Sequence, residues 1–199
     1  MTDILILMPA AGASSRMRGR DKLLETVDGE ALLRRQARRA GASGAPVLVT
    51  LPRHAGGPRA EQLDGLPRLR VTHVDPAEGM AASLRAGAEA AAAAGARGLM
   101  VMLPDLPEIG TEDLLRLIES FAEAPDSCLR ATAEDGRPGH PVVFPARLFP
   151  ALETVAGDVG GRDLLARETV RTLALPGGRA VTDLDTPEDW TDWRARAGR

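Results

Sequence analysis

The sequence predicts an α/β protein of three layers, a mainly parallel twisted sheet with helices on both faces. Three observations carry this. Short apolar runs at 4–8, 46–51 and 98–103, the last continuously apolar, have the character of buried strands. Helix-length amphipathic or alanine-rich stretches separate them, the alternation that builds parallel sheets. The 199 residues, 44% of them hydrophobic, suffice to bury one core, so a single domain over 1–199 is expected.

The elements follow in order. Residues 3–9 read as the first strand. Residues 30–41 read as a helix, with Leu32, Leu33, Gln36 and Ala37 at helical spacing and Gly41 as its stop. A second strand covers 46–51. Residues 52–66, rich in Pro, Gly and charge, read as loop with one turn of helix at most. A third strand covers 69–74. Residues 80–94 form a helix because alanine, the best helix former, dominates there. The fourth strand is 98–103, and Thr111 is the expected cap of a helix over 112–123 with Leu114, Leu115 and Ile118 inward. Further strands fit 127–132, 141–144, 170–175 and 180–183. Helices fit 146–155, 161–167 and 187–196. The pattern after residue 125 is less regular and leaves room for an antiparallel excursion.

Composition narrows the function. A net charge of −3, from 25 basic and 28 acidic residues, argues against nucleic acid as a partner and supplies no polybasic membrane anchor. Aromatic residues at 3%, with no tyrosine, speak against a base-stacking single-strand surface. No apolar run reaches the length of a membrane span, and the N-terminus lacks the basic region of a signal peptide. One cysteine, Cys128, makes neither an internal disulfide nor a thiolate metal cluster, and its apolar surroundings suit core packing. A cytoplasmic location is expected.

Three segments carry the chemistry. Pro9-Ala10-Ala11-Gly12-Ala13-Ser14-Ser15-Arg16-Met17-Arg18-Gly19-Arg20-Asp21-Lys22 leaves the first strand as a small-residue loop. Backbone N–H groups in such a loop can gather around an anion, and Arg16 and Lys22 add charge for phosphate oxygens. It is neither a Walker A loop nor a G-x-G-x-x-G fingerprint. The plainer alternative is a flexible loop with two solvated cations. Asp105, in Leu103-Pro104-Asp105-Leu106-Pro107, leaves a buried strand where a carboxylate can hold Mg²⁺ together with substrate phosphates. A purely structural strand-exit aspartate is the alternative. In Asp183-Leu184-Asp185-Thr186-Pro187-Glu188-Asp189, Thr186 as N-cap and Pro187 as first helical residue explain the second half. Asp183 and Asp185 are left over, and Asp185 is preferred as a second metal ligand. Of the histidines, His54 and His73 have no carboxylate or histidine at metal spacing, so ordinary surface or strand positions account for them.

These segments, with Gly79-Met80-Ala81-Ala82-Ser83-Leu84, Arg137-Pro138-Gly139-His140-Pro141 and Gly157-Asp158-Val159-Gly160-Gly161-Arg162, resemble in order the motifs of the MobA-like nucleotidyltransferases, nearest to the cytidylyltransferase (MocA-like) branch. The resemblance runs from residue 4 to about 190. It implies a Rossmann-like fold of the nucleotide-diphospho-sugar transferase type. It implies Arg16, Lys22 and Asp105 as catalytic residues, and Ala10, Ala11, Gly12, Ser14, Arg16, Lys22, Gly79 and Ser83 around the nucleotide. Gly139, His140, Asp158 and Arg162 would face the acceptor, and Asp105 with Asp185 would hold Mg²⁺. Ser83 reads equally well as a serine near a helix start, His140 as a hydrogen-bonding partner of its own loop, and Asp158 with Arg162 as a local ion pair. Ala10-Ala11-Gly12 implies CTP as the nucleoside triphosphate. The implied acceptor is a molybdopterin-type cofactor, its product passed to a molybdenum hydroxylase. Two rivals remain, a related transferase acting on a sugar phosphate or methylerythritol phosphate and a non-catalytic nucleotide- or cofactor-binding accessory protein. The chain departs from the pattern at Pro9, which lacks an N–H, at Arg18 in place of glycine, by one extra residue before Lys22, and at Pro104.

Overall fold

In the computed structural model, residues 3–53, 57–157 and 160–198 are described. The elements are β1 (Ile4–Pro9), β2 (Thr26–Val27), β3 (Glu30–Ala31), α1 (Leu32–Ala42), β4 (Val47–Pro52), α2 (Pro58–Glu61), β5 (Leu69–Val74), α3 (Gly79–Ala93), β6 (Gly98–Val101), α4 (Thr111–Glu123), β7 (Cys128–Thr132), β8 (Pro138–Pro145), α5 (Phe149–Leu152), α6 (Gly160–Ala166), β9 (Val170–Ala174) and α7 (Pro187–Ala197). Short 3-10 turns cover Ser15–Met17, Pro76–Glu78 and Ala146–Leu148.

Alternation along β1 sets the layers. Ile4, Ile6 and Met8 point to one face of the sheet, where Leu33, Ala37 and Ala40 of α1 and Leu114, Leu117 and Phe121 of α4 cover them. Leu5 and Leu7 point to the other, against Leu84, Ala88 and Ala91 of α3 and Phe149 and Leu152 of α5. Each such fully buried Leu or Ile contributes about 1.5–3 kcal/mol relative to exposure. A strand apolar at every position is therefore satisfied only between two helical layers. Helix α3 comes close enough to β1 that a Cβ on Gly87 would stand 2.7 Å from Leu7 Cδ2.

The seven-stranded sheet has the order β5-β4-β1-β6-β8-β7-β9. Its pairings are parallel except for the two made by β8, with β6 and with β7. The chain moves outward from β1 through β4 to β5, then returns to place β6 on the other side of β1. A crevice opens at the carboxyl ends of the strands where the order reverses, and ligands of open α/β sheets bind there. The loops after β1 and β6 both start at that crevice. Among the described residues, no helix is long and apolar enough to cross a membrane.

The structure corrects several expected elements. Residues 180–183 form no strand. The chain turns at Gly177 (φ +58°), Val181 N–H and the Thr182 hydroxyl both donate to Gly178 O, and Ala180 O accepts from His140 N–H. Thr111 is the first residue of α4 and not its cap. Gly110 holds the cap position with its N–H donating to Asp113 Oδ2, and the Thr111 hydroxyl donates to Arg39 O. The expected helix at 146–155 is a 3-10 turn running into the four-residue α5, with Pro150 in its first turn. A further β2–β3 hairpin turns at Asp28-Gly29, both at positive φ, the sequence signal of a two-residue primed turn.

Candidate active site

A cavity of about 480 Å³ lies over the carboxyl ends of β1 and β6. Residues 9–16, Lys22 and Leu23 form one wall, Pro76, Gly79, Met80 and Ser83 another, and Leu103, Pro104, Asp105 and Asp185 close it. The structure thus brings together Ala10, Ala11, Gly12, Ser14, Arg16, Lys22, Gly79, Ser83, Asp105 and Asp185, segments far apart in the chain.

The loop after β1 is held at its base and open at its tip. Ala10 N–H donates to Thr50 O of β4, which extends the β1–β4 pairing by one residue. Among the described residues, the N–H groups of Ala11, Gly12 and Ala13 donate to no protein acceptor. A Cβ on Gly12 would meet nothing within 4 Å. Unpaired amides beside an open cavity are the raw material of an anion site. Beyond them Ser14 and Arg18 both take left-handed backbone (φ +50° and +53°) on either side of the Ser15–Met17 turn. Arg18, where a glycine was expected, therefore adopts the conformation glycine would supply.

Charge concentrates at the far end. Lys22 Nζ lies 2.5 Å from Asp105 Oδ2 and 2.7 Å from Asp185 Oδ1. Burial works against the Lys22 ammonium, but Asp105 and then Asp185 outweigh it and hold its pKa above the ordinary lysine value. Arg16, with its side chain 70% exposed, reaches Asp185 Oδ2 at 2.7 Å. Asp105 Oδ1 is buried with no hydrogen-bond partner among the described residues. Asp183 stands aside from this pair, in a neighbouring cavity of about 610 Å³ lined also by Arg137 and Arg196. Burial raises its carboxyl pKa, and Asp185 and Asp105 add to the effect.

Packing fixes these groups in register. Met17 of the loop, Val27 of the hairpin, Leu32, Leu184, Trp190 and Trp193 form a separate small core. Leu184 N–H donates to Asp105 O at 3.1 Å, so Asp185 is carried to the end of β6. Thr186 and Asp189 cap α7 reciprocally, and Asp189 Oδ2 also accepts from Asp185 N–H. The apolar residues Met17 and Leu184 thus position the charged Arg16 and Asp185 beside them.

Helix α3 supplies the other wall. Gly79 has φ +63° and ψ −149°, a backbone essentially restricted to glycine, at the junction of the Pro76–Glu78 turn and α3. Ser83 borders the cavity, but its hydroxyl is buried and lies 2.8 Å from that of Thr50. That pair joins α3 to β4, so the hydroxyl already has a partner within the fold.

Gly139, His140 and Arg162, expected around an acceptor, do not line this cavity. Asp158 lies outside the described residues, as does His54. A Cβ on Gly139 would stand 2.0 Å from Ala180 O, so close backbone approach alone requires glycine there. His140 follows across a cis peptide to Pro141, and its Nδ1 lies 3.4 Å from Val101 O. Burial pushes the imidazole pKa down and Arg130 adds to this, while the contact with Val101 O and the Asp105 carboxylate oppose it. Arg162 is exposed on α6. Burial and the neighbouring Arg162 both lower the pKa of Arg130, whose Nε donates to Gly139 O.

Two functional candidates escaped sequence reasoning. Arg130 looks like any strand arginine until its approach to Arg162 is seen. Arg59 falls in the stretch read as loop, yet its guanidinium reaches Asp21, Ser14 and Ala10. No sequence signal separates it from Arg53 or Arg68.

Residues 5–172 match the MobA-like NTP transferase domain family. The purine catabolism protein PucB of Bacillus subtilis is 29% identical over 119 residues, 58% of this chain and 56% of that protein, so the match spans just over half of that relative. The crystal structure of Rv0371c from Mycobacterium tuberculosis superposes with a TM-score of 0.79 at 30% identity over 96% of this chain and 98% of that one. Its complex with manganese gives 0.76 at 29% identity, over 96% and 97%. CMP:2-keto-3-deoxy-manno-octonic acid synthetase, solved with CTP, shares the fold with a TM-score of 0.73 at 15% identity, over 98% of each chain.

Proposed function

The chain belongs to the MobA-like NTP transferase domain family, and on that premise we propose that it is a Mg²⁺-dependent cytidylyltransferase that moves CMP from CTP onto a molybdopterin-type acceptor. The observation that carries this reading is one cleft holding the unpaired amides of Ala11, Gly12 and Ala13 at one end and Lys22, Arg16, Asp105 and Asp185 at the other.

The residues present fit a divalent cation. Asp105 has an orphaned buried oxygen, and the space between Asp105 and Asp185 is attractive enough to hold an ammonium. Hard divalent cations take carboxylate oxygens together with substrate phosphates. Asp105 and Asp185 would hold the ion, which when bound supplies charge neutralisation at the phosphates. A neighbour at 29% identity crystallised with manganese is in keeping with that.

The transfer needs no protein nucleophile. A phosphate oxygen of the acceptor attacks the α-phosphorus in line and forms the new P–O bond. The bond from the α-phosphorus to the bridging oxygen breaks, and pyrophosphate leaves with its electron pair. The chain's contribution is position and charge. Amides 11–13 bind phosphate oxygens. Lys22 and the exposed Arg16 offset negative charge growing on the leaving pyrophosphate. Behind residues 11–13 lies a more apolar cavity of about 490 Å³ lined also by Pro52, Pro58 and Pro76, suited to a base. Arg130, with His140 and Arg162 each close to it, would supply charge for an anionic acceptor. The Ala-Ala-Gly sequence supports CTP. The name of PucB supports a product used in purine catabolism, where a molybdenum hydroxylase of the xanthine dehydrogenase type would use it.

The test is pyrophosphate release from CTP, GTP, ATP and UTP with Mg²⁺ and molybdenum cofactor. The reading predicts release from CTP that requires both metal and cofactor. Release driven instead by methylerythritol phosphate or a sugar phosphate would transfer the chain to another branch. Binding without release would make it an accessory protein.

A further inference from the structure

We propose that Arg59 is the positioning residue that sets the shape of the phosphate-side loop, and through that shape the affinity for nucleotide. Its side chain is 11% exposed and starts from the single turn of α2. Nε and Nη2 donate to the two oxygens of Asp21 at 2.6 and 2.8 Å, a forked pair. Nη2 also lies 3.2 Å from Ser14 Oγ, and Nη1 donates to Ala10 O at 2.6 Å. One guanidinium therefore ties Ala10 at the start of the loop, Ser14 within it and Asp21, the residue before Lys22. The amides between Ala10 and Ser14 are the unpaired ones, so the clamp fixes both ends of the anion-binding strip without occupying it. Asp21 in turn accepts from Leu23 N–H, which sets the direction of Lys22. Burial acts to raise the Asp21 carboxyl, but Arg59, Leu23 N–H and Ser14 together keep its pKa below the ordinary value, so the clamp is charged at neutral pH.

Lysine cannot replace this contact set, because one ammonium has no planar fork to span three acceptors. The loop carries its own reporter. Arg16 and Arg18 have side chains 70% and 71% exposed, and trypsin cuts after them only when the loop opens. Arg35 is buried in α1 and reports global unfolding.

The experiment compares wild type, Arg59→Met, Arg59→Lys and Asp21→Asn by timed trypsin digestion with mass spectrometry, without nucleotide and with Mg-CTP. Removing a charged, forked hydrogen-bond set predicts about tenfold faster cleavage after Arg16 and Arg18 relative to Arg35 in Arg59→Met and Asp21→Asn, with Arg59→Lys between them and wild type. Because the loop holds the nucleotide in the reading above, KM for CTP should rise about tenfold in Arg59→Met while KM for the acceptor stays put. Wild-type cleavage ratios in both Arg59→Met and Asp21→Asn overturn the clamp. A loosened loop with unchanged nucleotide KM overturns its role in binding. A wild type inert to every nucleotide would sink the proposed function, and the cleavage ratios would still decide the clamp.

Discussion

On the side of the cleft proposed for the nucleotide, residues 10–22 are anchored three ways. Ala10 joins the β4 edge, Met17 enters a small core of its own, and Arg59 binds Asp21. Between those anchors the amides of Ala11, Gly12 and Ala13 donate to no acceptor among the described residues, while Arg16 and Arg18 pair with Asp185 and Glu188. On the side proposed for the acceptor, Gly139 is pressed on Ala180, His140 contacts Val101 O, and Arg162 is exposed. There the motif residues are explained first by their own neighbours. The two sides match the same family pattern, yet its glycine faces open space at Gly12 and meets backbone at Gly139, where packing alone requires it. A motif glycine carries functional information when space lies beyond its missing Cβ, as at Gly12, and structural information when backbone fills that space.

The largest expected effect breaks the nucleotide side. Asp105→Asn should lower pyrophosphate release by about 10²–10³-fold, as loss of a preorganised charge contact does. Its urea midpoint should stay near wild type, and wild-type turnover would remove Asp105 from the chemistry. Gly139→Ala sharpens the contrast. A Cβ 2.0 Å from Ala180 O forces backbone to move, at a cost of about 1–3 kcal/mol in chemical denaturation. A stable Gly139→Ala protein with a raised acceptor KM would return Gly139 to the binding site.

A pH prediction follows from Asp21. Its carboxyl pKa is held down in the fold, so the folded state binds fewer protons than the unfolded chain around the ordinary value of about 3.9. The resulting stability is present above that value and is lost as pH falls through the depressed folded value. Arg59→Met removes most of the difference, so its acid unfolding curve should be shallower than that of wild type below about pH 4. Parallel curves would mean that the ion pair contributes nothing. The smallest effect concerns Cys128, which is fully buried with its thiol pushed up to about 11 by burial and by Glu168. Thiol reagents at neutral pH should label it only as fast as the protein unfolds.

Much of the fold was legible. Largely apolar runs mark β1, β4 and β6 because both faces of those strands are covered, and alanine marks α3 because it must approach β1 closely. The region after 125 was less so. β8 runs against its neighbours and begins at Pro138, and residues 180–183, apolar in part, turn back because Gly177-Gly178 and the contact with His140 stop a strand. At the site, the local motifs were readable, since Asp105 leaves a buried strand and Asp185 precedes a capped helix. Contacts that depend on the folded path were not. The Lys22 bridge joins residues separated by 83 and 163 positions, and Arg59 sits in a stretch with no periodicity.

The measurement that tests the central claim most directly is a thermal-shift panel of CTP, GTP, ATP and UTP on the wild-type chain, each with and without Mg²⁺. A ligand that binds the native state at about 100 times its Kd adds about 2.7 kcal/mol of stability. The account predicts a clear rise in melting temperature with Mg-CTP that GTP, ATP and UTP do not match and that weakens without the metal. A flat response to all four nucleotides, with and without Mg²⁺, would contradict it.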